Sequence, residues 1–278
     1  MPTDSKLIRE VWANNLETEM KAIRNIVEEY PWVSMDTEFP GTVAKPIGSF
    51  KSNLDYKYQE VRCNVDMLKI IQLGLTFSKD TGEHPKRCCT WQFNFKFSKD
   101  SDMYLQESVD LLESSGIDFK KHEEFGIDTF VFGELLISSG LVLLDDVNWI
   151  SFSGGYDYAY LIKVLTCSPL PPKEEDFFNV LGIYFPRTYD LRYLMRCCKN
   201  LSGGLSDLAD QLQIPRIGIQ HQAGSDSLTT ASAFFKMKAL YFENQIDDHK
   251  FLGYISNLGS GSNGFYFSNQ LSDLSYMI

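Results

Sequence analysis

Apolar positions recur at spacings of three and four from residue 5 to 30: Leu7, Ile8, Val11, Leu16, Met20, Ile23 and Val27. That period predicts one amphipathic helix over the whole stretch. "WVSMD" then reads as a short buried strand, and "GTVAKPIGSFKSNLDYKY" as a loop. "EVRCNVDMLK" is helical in pattern. "IIQLGLTFS" and "TWQFNFKF" read as strands, the second with alternating aromatics, joined by the Gly- and Pro-containing turn "KDTGEHPKR". Helices are predicted over about 103–114 and 128–138, followed by a strand at "NWISFSG". The rest reads as helical: "DYAYLIKVL", "KEEDFFNVLGIYF", "LRYLMRCC", "GLSDLADQL" and "SLTTASAFFKMKALYF", with "SPLPP" as a break. Early strands with helices throughout predict one α/β domain built on a mixed central sheet flanked by helices. No repeat or internal linker interrupts it. The Gly/Ser-rich start of the segment after Gly259 marks residues 261–278 as a peripheral tail.

Composition narrows the class. The chain has 278 residues, 44% hydrophobic and 14% aromatic, enough for one large core or two small ones. No apolar run approaches the ~18 residues needed to span a bilayer, so no membrane role is expected. The polar opening "MPTDSKLIRE" does not resemble a secretory signal. Two of the cysteine pairs are adjacent, Cys88-Cys89 and Cys197-Cys198, which suits neither a disulfide framework nor a C-x-x-C zinc site. All six cysteines are expected to be small buried hydrophobes in a reducing compartment. The net charge of −11 opposes nucleic-acid binding by a broad basic surface. Any phosphate recognition must then be local, through a few Lys and Arg or through bound cations.

The candidate chemistry lies in acids at the ends of apolar elements. In "WVSMDTEFPG", Asp36 and Glu38 stand two apart at the end of a strand, so they point the same way. Two carboxylates on one face repel unless a cation or proton lies between them. An Asp-X-Glu triplet in a surface loop is the plain alternative. Asp157 opens a helix after a strand and two glycines, and Asp226 opens another, with His221 five residues before it. Each of these Asp residues has a capping role as its alternative. Taken together, Asp36, Glu38, Asp157 and Asp226 form a set of hard oxygen donors suited to Mg²⁺ or Mn²⁺. Two such ions about 4 Å apart make a site for phosphoryl displacement.

"MDTEFPG", "SFSGGYDYAYLIKVL" and "HQAGSDSLTT" resemble the three motifs of the DEDD superfamily of 3′-5′ exonucleases. "NVDMLKIIQLGLTFS", "TWQFNFKF", "SGIDFKKHEEFGID" and "YDLRYLMRCCKNLSGGL" carry the resemblance further, to the Pop/Caf-type deadenylase subunit of the CCR–NOT complex, over residues 5 to 260. The resemblance implies a ribonuclease H-like fold for a domain over 1–260 and removal of mRNA poly(A) tails from the RNA 3′ end, releasing 5′-AMP. It implies Asp36, Glu38, Asp157 and Asp226 as ligands of two divalent ions. It implies His221 as the general base, a task suited to a side chain with an unperturbed pKa near ~6.5. Where the family carries a His–Ser pair before "GYD", this chain has Ser153 and Gly154.

The implied partners are a Not scaffold subunit, a second deadenylase subunit and Tob/BTG-type adaptors. The implied location is cytoplasmic, including mRNA-decay bodies, and nuclear. Phe39, beside the first acids, is a candidate neighbour of the terminal nucleotide, with core packing as its alternative. Lys45, Lys51, Lys57, Arg62 and Lys199 are candidate substrate contacts, with solvated surface charge as theirs. An inactive adaptor that docks other nucleases has no need for all four acids. A DNA-directed exonuclease shares the three motifs but not the longer segments.

Overall fold

A computed structural model describes residues 7–260. The elements in order are β1 (Ile8–Val11), α1 (Leu16–Val27), β2 (Trp32–Glu38), α2 (Asn53–Met67), β3 (Gln72–Ser78), β4 (Thr90–Asn94), α3 (Gln106–Ser114), α4 (Phe119–Phe125), α5 (Thr129–Ile137), β5 (Asn148–Ser151), α6 (Gly155–Thr166), α7 (Glu174–Tyr184), β6 (Arg187–Asp190), α8 (Leu191–Leu194), α9 (Leu205–Gln211), α10 (Ala223–Tyr241) and α11 (Asp248–Phe251). The strands form one six-stranded sheet in the order β1-β4-β3-β2-β5-β6. β2, β3 and β4 run antiparallel to their neighbours in that group, whereas β1–β4, β2–β5 and β5–β6 pair in parallel. The sheet is therefore mixed, as the pattern predicted, and the arrangement is ribonuclease H-like.

Both faces of the sheet are covered, and the two faces differ. Val33, Met35, Leu73, Leu75, Phe77, Trp91 and Phe93 point into the larger core, shared with α1, α2, α5, α6 and α7. The alternate positions point to α10. Trp32, Ile150 and Tyr189 pack there with Phe234 and Met237. Beside them the contact is made by small polar residues. Ser34 Oγ donates to the Ser227 carbonyl at 2.9 Å, and the Thr76 hydroxyl bonds those of Ser227 and Thr90. Short side chains bring α10 close to the sheet, and every buried hydroxyl named here has a partner.

Several elements differ from the sequence expectation. Within the stretch read as one long helix, Ile8–Val11 is a strand paired in register with Thr90–Phe93. The spacing of Leu7, Ile8 and Val11 fits a helix, but partner strand β4 lies far away in sequence, where local period cannot see it. Asn15 Oδ1 accepts the Trp12 N–H at 2.7 Å and closes the turn before α1. "NLDYKY", read as loop, begins α2, because Ser52 caps it by accepting the Asp55 N–H. β6 and α4 were not expected, and "LRYLMRCC" makes only one short turn of α-helix followed by a 3-10 turn. All six cysteines are free. Cys88, Cys89 and Cys198 are buried as expected, but Cys167 and Cys197 are exposed. Among the described residues no helix is long and apolar enough to cross a membrane. The tail at 261–278 lies outside the described residues.

Candidate active site

β2 ends with Asp36 and Glu38 on the face that carries Ser34, and so toward α10. Opposite Asp36 in β3 stands Gly74. A Cβ there would lie 1.9 Å from the Ala223 carbonyl oxygen, so only glycine lets the start of α10 sit against the strand. The sheet also caps that helix. The Ala223 N–H donates to Gln72 Oε1 (3.2 Å) and the Gly224 N–H to Gln92 Oε1 (2.9 Å). These bonds take up free donors of the first helical turn. Asp226 follows in that turn, buried, and its position is fixed by the sheet that carries Asp36.

Asp226 accepts the His221 backbone N–H at Oδ2 (3.0 Å) and the Arg216 guanidinium at Oδ1. His221 has φ +62°, an unusual conformation for a non-glycine residue, which turns the chain back into α10. Ligand atoms of Glu38, His221 and Asp226 all lie within 4.8 Å of one another. The three residues, from two distant segments, thus meet at one place.

Asp157 comes from the other side, on α6, which packs in the larger core. It is buried, and Thr37 Oγ1 donates to its Oδ1 at 2.5 Å. The turn leading into α6 is held by Asp190, a buried residue at the end of β6. Its Oδ1 accepts the N–H groups of Ser153 and Tyr193 (both 3.2 Å), and its Oδ2 those of Gly154 (3.1 Å) and Ser256 (3.0 Å). Gly154 and Gln222 occupy the N-cap positions of α6 and α10, so neither Asp157 nor Asp226 is the N-cap residue of its helix. The capping alternative falls away for both.

The electrostatics follow from this convergence. Burial, reinforced by Asp157, Asp226 and Glu38, pushes the Asp36 carboxyl well above its ordinary range, with Arg216 opposing. Burial, with Asp226 and Asp157, pushes Glu38 up to about 8. Burial raises Asp157 to about 6, against the Thr37 hydroxyl and backbone N–H groups that favour its ionised form. The Arg216 guanidinium pairs with Asp226 and opposes the rise of Asp36. No cation among the described residues ranks with the main influences on Glu38 or Asp157, and the cluster is short of positive charge. An all-oxygen set with one imidazole at its edge fits small hard divalent cations.

The other candidates are less tightly tied to this cluster. Phe39 is half-buried and stacks on Tyr156, ring centroids 4.9 Å apart, at the rim of the larger core. Arg62 donates to Gln59 Oε1 and lies 3.9 Å from Asp66, both within α2. Lys45, Lys51 and Lys199 are exposed, Lys57 is partly so, and no described contact links any of them to the acids. Sequence reasoning missed Arg216, Thr37, Asp190 and the Gln72/Gln92 pair. Thr37 lies between two identified acids, but the residue it meets lies 120 positions away.

Comparison with known proteins adds to the geometry. A family model described as CAF1 family ribonuclease matches residues 11–132. Poly(A) ribonuclease pop2 of Schizosaccharomyces pombe is 54% identical over 262 residues, covering 94% of this chain and 78% of that protein. The chain belongs to the CAF1 family of ribonucleases. Among solved structures, that of S. pombe Pop2p in a Mg²⁺- and Mn²⁺-bound form superimposes with a TM-score of 0.86 at 56% identity, covering 88% of this chain and 97% of that one. A chain in the solved structure of a yeast NOT1 MIF4G domain co-crystallised with CAF1 also matches, with a TM-score of 0.77 at 36% identity, covering 92% of this chain and 99% of that one.

Proposed function

We propose that this CAF1-family ribonuclease is a 3′-5′ exoribonuclease that shortens mRNA poly(A) tails and releases 5′-AMP, acting as a subunit of a CCR–NOT complex. One observation carries the reading: ligand atoms of Glu38, at the end of β2, and of Asp226, in the first turn of α10, lie within 4.8 Å of each other and of His221. Burial, with the neighbouring charges of Asp157 and Asp226, raises the Asp36 and Glu38 carboxyls there. The poly(A) ribonuclease of S. pombe, and the Mg²⁺ and Mn²⁺ bound in the S. pombe Pop2p structure, support it.

Asp36, Glu38, Asp157 and Asp226 hold the two divalent ions, Mg²⁺ or Mn²⁺. When bound, these supply Lewis acidity and charge neutralisation for in-line phosphodiester hydrolysis. The chain's own residues do the rest. Thr37 holds the Asp157 carboxylate in one orientation. The sheet-capped start of α10 holds Asp226. His221, half-buried beside Glu38 and Asp226, takes the proton of the attacking water. Phe39 and Tyr156 offer an aromatic edge beside the terminal nucleotide. Lys45, Lys51 and Lys199 are available to more distant phosphates.

The scaffold partner is a Not subunit, a reading supported by the yeast NOT1–CAF1 structure. A second deadenylase subunit and Tob/BTG-type adaptors complete the proposed assembly, at work in the cytoplasm, its mRNA-decay bodies and the nucleus. With a net charge of −11, the isolated subunit holds RNA weakly and trims distributively.

The test is incubation of purified protein with Mg²⁺ or Mn²⁺, 5′-labelled oligo(A) RNA and the matching DNA. A ladder of successively shortened RNA, with DNA spared, is the expected result. No product would point to an adaptor, and equal digestion of DNA to a DNA-directed exonuclease.

A further inference from the structure

The two carboxylate oxygens of Asp226 are both engaged. Oδ2 accepts the His221 backbone N–H, which belongs to the fold of the loop and is not readily given up. Oδ1 is the oxygen left for a cation, and the Arg216 guanidinium already lies on it. Arg216 is no stray surface side chain. It is only about one-fifth exposed, and its nitrogens also reach Ser225 Oγ (3.3 Å) and Ser206 Oγ (3.2 Å). Its charge is therefore held at the acid cluster from α9 and α10 together. A fixed monovalent cation at a carboxylate repels a divalent one arriving at the same atom, strongly so in a half-buried cleft.

We infer that Arg216 is a built-in counter-cation, which occupies Asp226 when the cleft holds no divalent ion and must yield Oδ1 when one binds. This rests on the proposal that the four acids hold divalent ions. It deepens that proposal by naming the residue that sets how readily they bind. Arg216 has two effects of opposite sign. It relieves repulsion among Asp36, Glu38, Asp157 and Asp226 in the ion-free protein, and it weakens ion binding. Its anchors on Ser206 and Ser225 give the displaced guanidinium a place to stay, so the exchange needs no rearrangement of the backbone.

The test has two arms. In the first, equilibrium Mn²⁺ binding, read from the electron paramagnetic resonance of free Mn²⁺, is compared for the wild type, R216K and R216Q. Thermal unfolding of each is followed in chelator. R216Q should bind Mn²⁺ at least tenfold more tightly and melt lower in chelator, with the melting difference closing at saturating Mn²⁺. R216K, which keeps the charge, should bind more nearly as the wild type does. The second arm uses the unmutated protein and so does not depend on a variant folding. The side-chain nitrogen resonances of Arg216 should show hindered guanidinium rotation in chelator and altered shifts and faster rotation at saturating Mg²⁺. Weaker or unchanged Mn²⁺ binding by folded R216Q, or resonances that ignore Mg²⁺, would overturn the counter-cation role and leave Arg216 as a support that orients Asp226. Absence of any Mn²⁺ binding by the wild type would overturn the divalent-ion proposal itself and this inference with it.

Discussion

Gly74 lies directly across the antiparallel pair from Asp36, and the space its missing side chain leaves is filled by the Ala223 carbonyl at the start of α10. The distance between the acids of β2 and the acid of α10 is thus set by a glycine on neither element. Gly74→Ala should force the helix off the sheet. Overpacking of this kind costs about 1–3 kcal/mol. A lowered urea midpoint together with weaker Mn²⁺ binding is expected. Unchanged binding would show that the acids do not depend on this contact.

Much of this site is legible in the sequence because its acids sit at local landmarks. Asp36 and Glu38 end an apolar strand, and Asp157 and Asp226 fall in the first turns of helices. What holds them is not legible, because it is a matter of pairing at a distance. Gln72 and Gln92 look like ordinary strand polar residues until α10 is laid over them. Asp190 looks like the cap of a short helix, which it also is, until its carboxylate is seen to hold the turn before Asp157. β1 escapes a reading of local period for the same reason, since a four-residue edge strand is specified by its partner β4 more than by its own pattern. Arg216 carries no local signal at all.

The pH dependence of the ion-free protein follows from the raised carboxyls. Glu38 and Asp157 rise from ordinary values of 4.5 and 3.8 to about 8 and about 6 on folding. Between these limits the folded state binds more protons than the unfolded one, so stability falls as pH rises. In chelator, the melting temperature should drop from pH 4.5 to pH 8.5, a loss on the order of a few kcal/mol. Saturating Mg²⁺ should remove most of that slope. Calorimetry at both pH values, with and without Mg²⁺, checks it, and a melting temperature in chelator that rises over this range would contradict it.

Asp190→Asn would turn one of two fully used oxygens into a donor. Two backbone N–H groups would then face an NH₂, at a cost on the order of 1–3 kcal/mol for each donor left unpaired. Denaturant unfolding should show a large loss of stability. The residual folded enzyme should also trim RNA more slowly, because the turn that presents Asp157 loosens. Wild-type stability would mean that the turn finds other acceptors.

His221→Ala should lower the single-turnover rate about 10²–10⁴-fold, with the deficit shrinking as pH rises and hydroxide needs less help. Mn²⁺ affinity should change little if the imidazole serves only as base. The ring lies near enough to Glu38 and Asp226 for a ligand role to be tested in the same experiment. A loss of affinity, with the rate restored at high Mn²⁺, would assign it there instead.

The most direct measurement is single-turnover trimming of 5′-labelled oligo(A) RNA in Mg²⁺ by the wild type and by Asp36→Asn. This substitution removes one charge from the centre of the cluster with little change of shape. The wild type should give a ladder shortening from the 3′ end. The variant, with an unchanged circular dichroism spectrum, should give none. A near-normal rate from folded Asp36→Asn would contradict the assignment of catalysis to the four acids.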